Sequence, residues 1–166
     1  MDNIPTYYGN LMSEHAERSL DLSLYGTVLV ISPYKQLNPL VNYHFEHELG
    51  KGDVLGLRVN EGQQRASHQV SKSYAAKLCL FNEDVTYAKL AGYATKGATI
   101  KTTRLSDEFS YEDYEEEYKG RSIRLCAIEP SGKMTMFTSL KDIQPKSDWR
   151  VISLITQHKS DEANMT

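Results

Sequence analysis

Cysteine is scarce in this chain of 166 residues: Cys79 and Cys126 are the only two, too few for a disulfide framework. That scarcity fits a reducing compartment. Long apolar runs are also missing. The longest purely aliphatic stretch is Val28-Leu29-Val30-Ile31, far short of the ~20 residues that span a bilayer, so no direct membrane insertion is expected. The opening Met1-Asp2-Asn3-Ile4-Pro5 has neither the basic start nor the apolar run of a secretory signal. A basic surplus is absent, with 19 basic against 22 acidic side chains and a pI near 6.0, which argues against a nucleic-acid binder. No G-x-G-x-x-G, Walker loop, G-x-S-x-G elbow or metal-spaced cysteine pair occurs. What remains, at 40% apolar residues, is a folding chain long enough for one sizeable core or two small ones.

The first half predicts α/β structure. Residues 6–8 read as a strand, Gly9-Asn10 as a turn, and residues 12–20 as a helix. Residues 27–32 form a continuous β-branched and aliphatic run, which predicts a strand buried on both faces. Residues 37–49 predict a helix, with Asn38 as N-cap, Pro39 at the first helical position and Gly50 at the end. A second strand over 54–58 completes a βαβ unit. Another helix is expected over 65–80, with Val70, Tyr74, Ala75 and Leu78 on one face.

The second half predicts a smaller α+β domain. A helix over 86–95 ends near Gly97 and a Thr-rich strand follows over 98–105. Ser110 and Asp113 make a capping box that starts a short acidic helix over 111–118. Strands follow over 123–129, 133–138 and 149–155, the first two joined as a hairpin by Pro130-Ser131-Gly132. The expected division is 1–82, 83–156 and a frayed tail, 157–166. The fold class is thus α/β, a partial Rossmann-like parallel sheet lacking its first strand–helix unit, followed by the α+β domain.

Three groups of residues bear on chemistry. His44, His47 and Glu48 share one helix, but zinc needs further ligands, and a surface His–Glu pair accounts for the spacing. The acidic run 107–117 offers carboxylates for a cation or a basic partner. Its aromatic residues fall at helical spacing, which favours packing, with the carboxylates as a solvated face. The turn Ser32-Pro33-Tyr34-Lys35 and the pair Gly9-Asn10 follow strands, where open α/β sheets bind ligands. Cys79, Cys126 and Trp149 lie in apolar contexts that suit a core. No nucleophile, base and orienter can be assembled, so the chain reads as a non-enzyme.

Tyr7-Tyr8-Gly9-Asn10, Ser13-Glu14-His15-Ala16-Glu17, Leu29-Val30-Ile31-Ser32-Pro33 and Asn38-Pro39-Leu40 together resemble the cytoplasmic C-terminal region of bacterial sodium/hydrogen-exchanger-type cation:proton antiporters. Such transporters carry a Rossmann-like module of the RCK (regulator of potassium conductance) kind. The segment from Phe109 to Tyr118, the hairpin from Ile123 to Phe137 and Trp149-Arg150-Val151-Ile152-Ser153-Leu154 resemble the same region. The resemblance implies a cytoplasmic regulatory domain of a monovalent cation (sodium or potassium):proton antiporter, held at the inner face of the membrane by its transporter. Its partners would be the transmembrane antiporter domain, in the same or a separate chain, and further copies of itself. The ligand positions it implies are Gly9, Asn10, Ser32, Pro33 and Asn38, with Asn10 standing where the family has Asp. The family's Gly-rich phosphate loop and ribose-binding acidic residue have no counterpart, so no cofactor is implied. A small nucleotide-binding enzyme and a free-standing adaptor are the alternatives. The first would need a deep pocket with convergent titratable groups near 32–38, and the second no small-molecule site.

Overall fold

The computed structural model describes residues 6–19, 24–34, 38–49, 54–58, 79–82, 84–139 and 143–156. The chain divides into two compact units, Met1–Lys77 and Leu78–Thr166. Among the described residues, no helix is long and apolar enough to cross a membrane. The fold is of the mixed α/β kind, with a small parallel sheet in the first unit and an antiparallel sheet in the second.

In the first unit, α1 (Glu14–Ser19), β1 (Val28–Val30), α2 (Asn38–Leu49) and β2 (Val54–Gly56) follow one another. β1 and β2 pair in parallel, Val28 opposite Val54 and Val30 opposite Gly56, with α2 as the crossover. Val30, Phe45 and Val54 form its buried cluster, with Val28 and Val41 packed against it. The βαβ unit expected from the sequence is therefore present, with three corrections. Residues 6–8 are not a strand. Tyr8 is fully exposed, the chain bends at Gly9, and the Tyr7 ring instead meets His15, centroids 5.9 Å apart. α1 begins two residues later than expected because the Ser13 hydroxyl accepts from the Ala16 amide (3.2 Å), which fixes the start. β1 is shorter than 27–32 and is covered on one face only. Val30 is buried whereas Leu29 and Ile31 stay exposed, since α2 packs against one side. Gly50, most of the helix expected over 65–80 and the tail 157–166 lie outside the described residues.

In the second unit, α3 (Tyr87–Thr95) precedes β3 (Thr99–Arg104), α4 (Tyr111–Glu117), β4 (Ser122–Ile128), β5 (Met134–Met136) and β6 (Arg150–Ile155). The strand order is β3-β6-β4-β5, antiparallel throughout. β6, last in sequence, thus lies between β3 and β4. α4 packs on the face formed by Val151 and Ile155 of β6 and Ala127 of β4. There Tyr111, Tyr114 and Tyr118 join Leu105, Phe137 and Ile143 in the core. A register shift between Arg124 and Cys126 lets β4 present both Arg124 and Ala127 to that face. Cys79 and Leu80 are extended, not helical as the sequence suggested. Leu80 bridges Thr138, and the Phe81 amide donates to the Phe137 carbonyl (2.7 Å). That pairing draws residues 80–82 into the second unit, so the division falls ahead of Leu78.

Local chemistry explains the remaining elements. The Thr86 hydroxyl accepts from the Lys89 amide (3.2 Å) and caps α3, while Gly97 takes φ +74° in the turn that leaves it. The capping box is complete: the Asp113 amide donates to the Ser110 hydroxyl (3.2 Å) and the Ser110 amide to the Asp113 carboxylate (2.8 Å). The hairpin closes through the Glu129 amide on the Lys133 carbonyl (2.9 Å), with Gly132 at φ +88°.

Candidate functional site

Beyond the end of β1, two of the five candidate residues, Ser32 and Asn38, come together. The Ser32 hydroxyl accepts from the Tyr34 amide (3.1 Å), the Tyr34 carbonyl accepts from the Asn38 amide (3.2 Å), and the Asn38 side-chain amide donates to the Ser32 carbonyl (3.3 Å). Asn38 opens α2 as its first residue, with Pro39 behind it. It is 3% exposed, and its Oδ1 is buried without a hydrogen-bond partner. A buried carbonyl left without a donor costs about 1–3 kcal/mol.

Gly9 and Asn10 are used differently. The Asn10 side chain accepts from the Met12 amide (3.0 Å), and its carbonyl accepts from the Ser13 amide and hydroxyl (3.2 and 2.7 Å). Those bonds build an Asx turn into α1. At Gly9, a Cβ would come within 2.7–3.0 Å of the Tyr7 ring, so glycine there makes room for an aromatic side chain. The described hydrogen bonds place Gly9 and Asn10 in a helix-starting turn and do not join them to Ser32, Pro33 or Asn38.

Among the described residues, no group of three or more possible metal ligands occurs. His44 is half-buried, edge-on to the Phe45 ring at 5.3 Å. The acidic helix splits as the sequence suggested, tyrosines inward and carboxylates outward, but besides Asp113 in the capping box two more carboxylates are tied down. Glu115 pairs with Arg124, which also donates to the Tyr111 hydroxyl, and Glu117 pairs with Arg121 at 2.7 Å.

Sequence reasoning missed a cleft of about 180 Å³ in the second unit. Its polar lining includes Asn82, Asp84, Lys89, Tyr93, Ser122 and Arg124. Lys89 is paired with Asp84 and Arg124 with Glu115, so both cations have carboxylate partners. The signal was hard to find because the lining joins residues 82–93 to Ser122 and Arg124, distant in sequence.

The shifted titratable groups lie in the core and the capping box of the second unit. Burial pushes the Tyr111 hydroxyl up to about 12, against the pull of Arg124. Burial likewise raises Tyr114, whose hydroxyl pairs with that of Ser153 at 2.5 Å. The Cys126 thiol is also raised by burial, so it stays protonated at neutral pH and is a poor nucleophile. Hydrogen bonds from Ser110 lower Asp113. Trp149 is half-buried against the core.

No family model, curated protein or solved structure matches this chain.

Proposed function

We propose that this chain is a regulatory domain of a monovalent cation (sodium or potassium):proton antiporter, acting at the inner face of the membrane through its attachment to the transporter. Its first unit is read as the rear part of a Rossmann-like module. The observation that carries the reading is the parallel crossover β1–α2–β2, with Ser32 and Asn38 brought together beyond the carboxyl end of β1. That is where open α/β sheets meet ligands. The orphaned Asn38 oxygen supplies an acceptor there. The α+β unit follows in the order expected from the resemblance.

The mechanism is a shift of populations. A ligand or a second copy that binds one arrangement of the domain better favours the transporter state attached to it, by no more than that difference in affinity. The role is binding, and no catalytic step is assigned.

Two measurements test the reading. The reading frame encoding this chain, or one beside it, should encode apolar spans of ~20 residues. Their absence from both would overturn the proposal. With such a transporter in everted vesicles, deleting these residues should change the pH or cation dependence of proton exchange. Unchanged profiles would overturn it equally.

A further inference from the structure

Among the described residues β3 is an edge strand, and five of its six residues are exposed. Its register with β6 runs unbroken from Thr99 opposite Ile155 to Arg104 opposite Arg150, with no bulge and no proline. Native edges are commonly protected by bulges, prolines or charges that project over them. Both charges on β3 remain exposed, and each has a partner of its own. Lys101 donates to the Tyr118 hydroxyl (2.5 Å), its ammonium 5.0 Å from that ring, and Arg104 pairs with Asp148 at 2.7 Å. Ile100 is 69% exposed beside them.

The hydrogen-bonding parity of the strand is fixed at its end. The Leu105 amide donates to the Trp149 carbonyl (2.9 Å), and the Asp148 amide to the Leu105 carbonyl (3.0 Å), so Leu105 turns its backbone toward β6. Alternation along an antiparallel ladder then turns the N–H and C=O groups of Ile100, Thr102 and Arg104 away from β6, out of the sheet edge.

We propose that β3 is an assembly edge on which a second copy of this chain pairs antiparallel, about a two-fold axis at Thr102. The sequence is self-complementary in that register. Thr102 faces Thr102 of the second copy, Lys101 faces Thr103, and Ile100 lies along the aliphatic stem of Arg104, so no like charges are opposed. Moving the axis to Lys101 keeps the parity but sets two ammonium groups opposite each other. Moving it to Thr103 leaves only residues 102–104 of the strand overlapping. The centred register is thus the one that uses the whole outward ladder without repulsion, and it joins two four-stranded sheets into one. This surface belongs to the second unit and does not depend on the antiporter reading.

An edge pairing of this extent forms a small interface, so the dimer is reversible, of the weak class below about 1,200 Å². Sedimentation velocity on the full chain, from about 5 to about 500 µM, should show the sedimentation coefficient rising with concentration, the range in which weak complexes of this kind populate. Thr102→Lys places like charges across the axis, and Thr102→Pro removes an outward amide that β6 does not use. Each should weaken dimerisation at least about tenfold, equivalent to 1.4 kcal/mol, with an unchanged circular dichroism spectrum. Under oxidation, Thr102→Cys should form a crosslinked dimer, while Ile100→Cys and the parent chain, with Cys79 and Cys126, should not. A chain monomeric across the range, a dimer indifferent to Thr102→Lys, or crosslinking by Ile100→Cys as efficient as by Thr102→Cys would overturn the proposal.

Discussion

The two units solve the problem of burying a sheet in unequal ways. Among the described residues, the first has two strands of three residues each around Val30, Phe45 and Val54, with Leu29 and Ile31 partly exposed. The second interleaves four strands so that the last in sequence is central, and seals one face with three tyrosines from a single helix. A parallel pair joined by a crossover helix gains little until further strands flank it. An antiparallel sheet with a helix on one face can sustain itself. The difference predicts unequal stability, with the second unit the harder of the two to open.

The largest effect is expected at the centre of the second core. Tyr114 is 1% exposed and touches both neighbouring tyrosine rings, so Tyr114→Ala should cost about 3–5 kcal/mol in urea denaturation. Tyr114→Phe keeps the ring but leaves the buried Ser153 hydroxyl without its partner, for a cost of about 1–3 kcal/mol. If Tyr114→Ala left the second unit's unfolding midpoint in place, the contrast between the units would fail. In the first unit Phe45→Ala should cost about 3 kcal/mol, enough to abolish hydrogen-exchange protection in α2 while sparing β4 and β6.

The capping box sharpens the comparison at a smaller scale. Ser110→Ala should cost about 1 kcal/mol in the second unit. Asp113 has its pKa lowered on folding, so its contribution is present above the ordinary carboxylate value and is lost as the pH falls through the folded value. Acid titration of Asp113→Asn should therefore lack that part of the acid destabilisation. Tyr111 behaves oppositely. Its pKa is raised from 10.0 to about 12, so the stability it confers is complete below pH 10.0 and disappears as the pH rises toward about 12. Alkaline unfolding of the second unit, followed by tyrosinate absorbance, should be delayed in Tyr111→Phe. The smallest effect belongs to Arg104→Ala, which breaks an exposed ion pair and should shift stability by no more than about 1 kcal/mol.

Legibility in the sequence followed the strength of local chemistry. The capping box at Ser110 and Asp113, the Pro130-Ser131-Gly132 hairpin and the βαβ order are all set within a few residues, and the structure reproduces them. Burial was harder. The run 27–32 looks like a doubly covered strand, yet coverage depends on how many layers reach it, which no window of sequence contains. The strand suggested for 6–8 fails because β propensity needs a partner, and Tyr7 finds His15 instead. Cys79 and Leu80 match a helical pattern but are drawn into pairing with residues 137–139, some sixty positions away. At the candidate site, Ser32 and Asn38 are near enough in sequence for their meeting to be foreseen, whereas the cleft around Lys89 and Arg124 depends on sheet order and was not.

Native-state hydrogen exchange on the full chain tests most directly whether the first unit is the less stable of the two. Amides of β4 and β6 should exchange only by global opening of the second unit, and those of β1, β2 and α2 by a cheaper opening, at least about a hundredfold faster. Equal protection in the two units, or slower exchange in β1 and β2 than in β6, would contradict it.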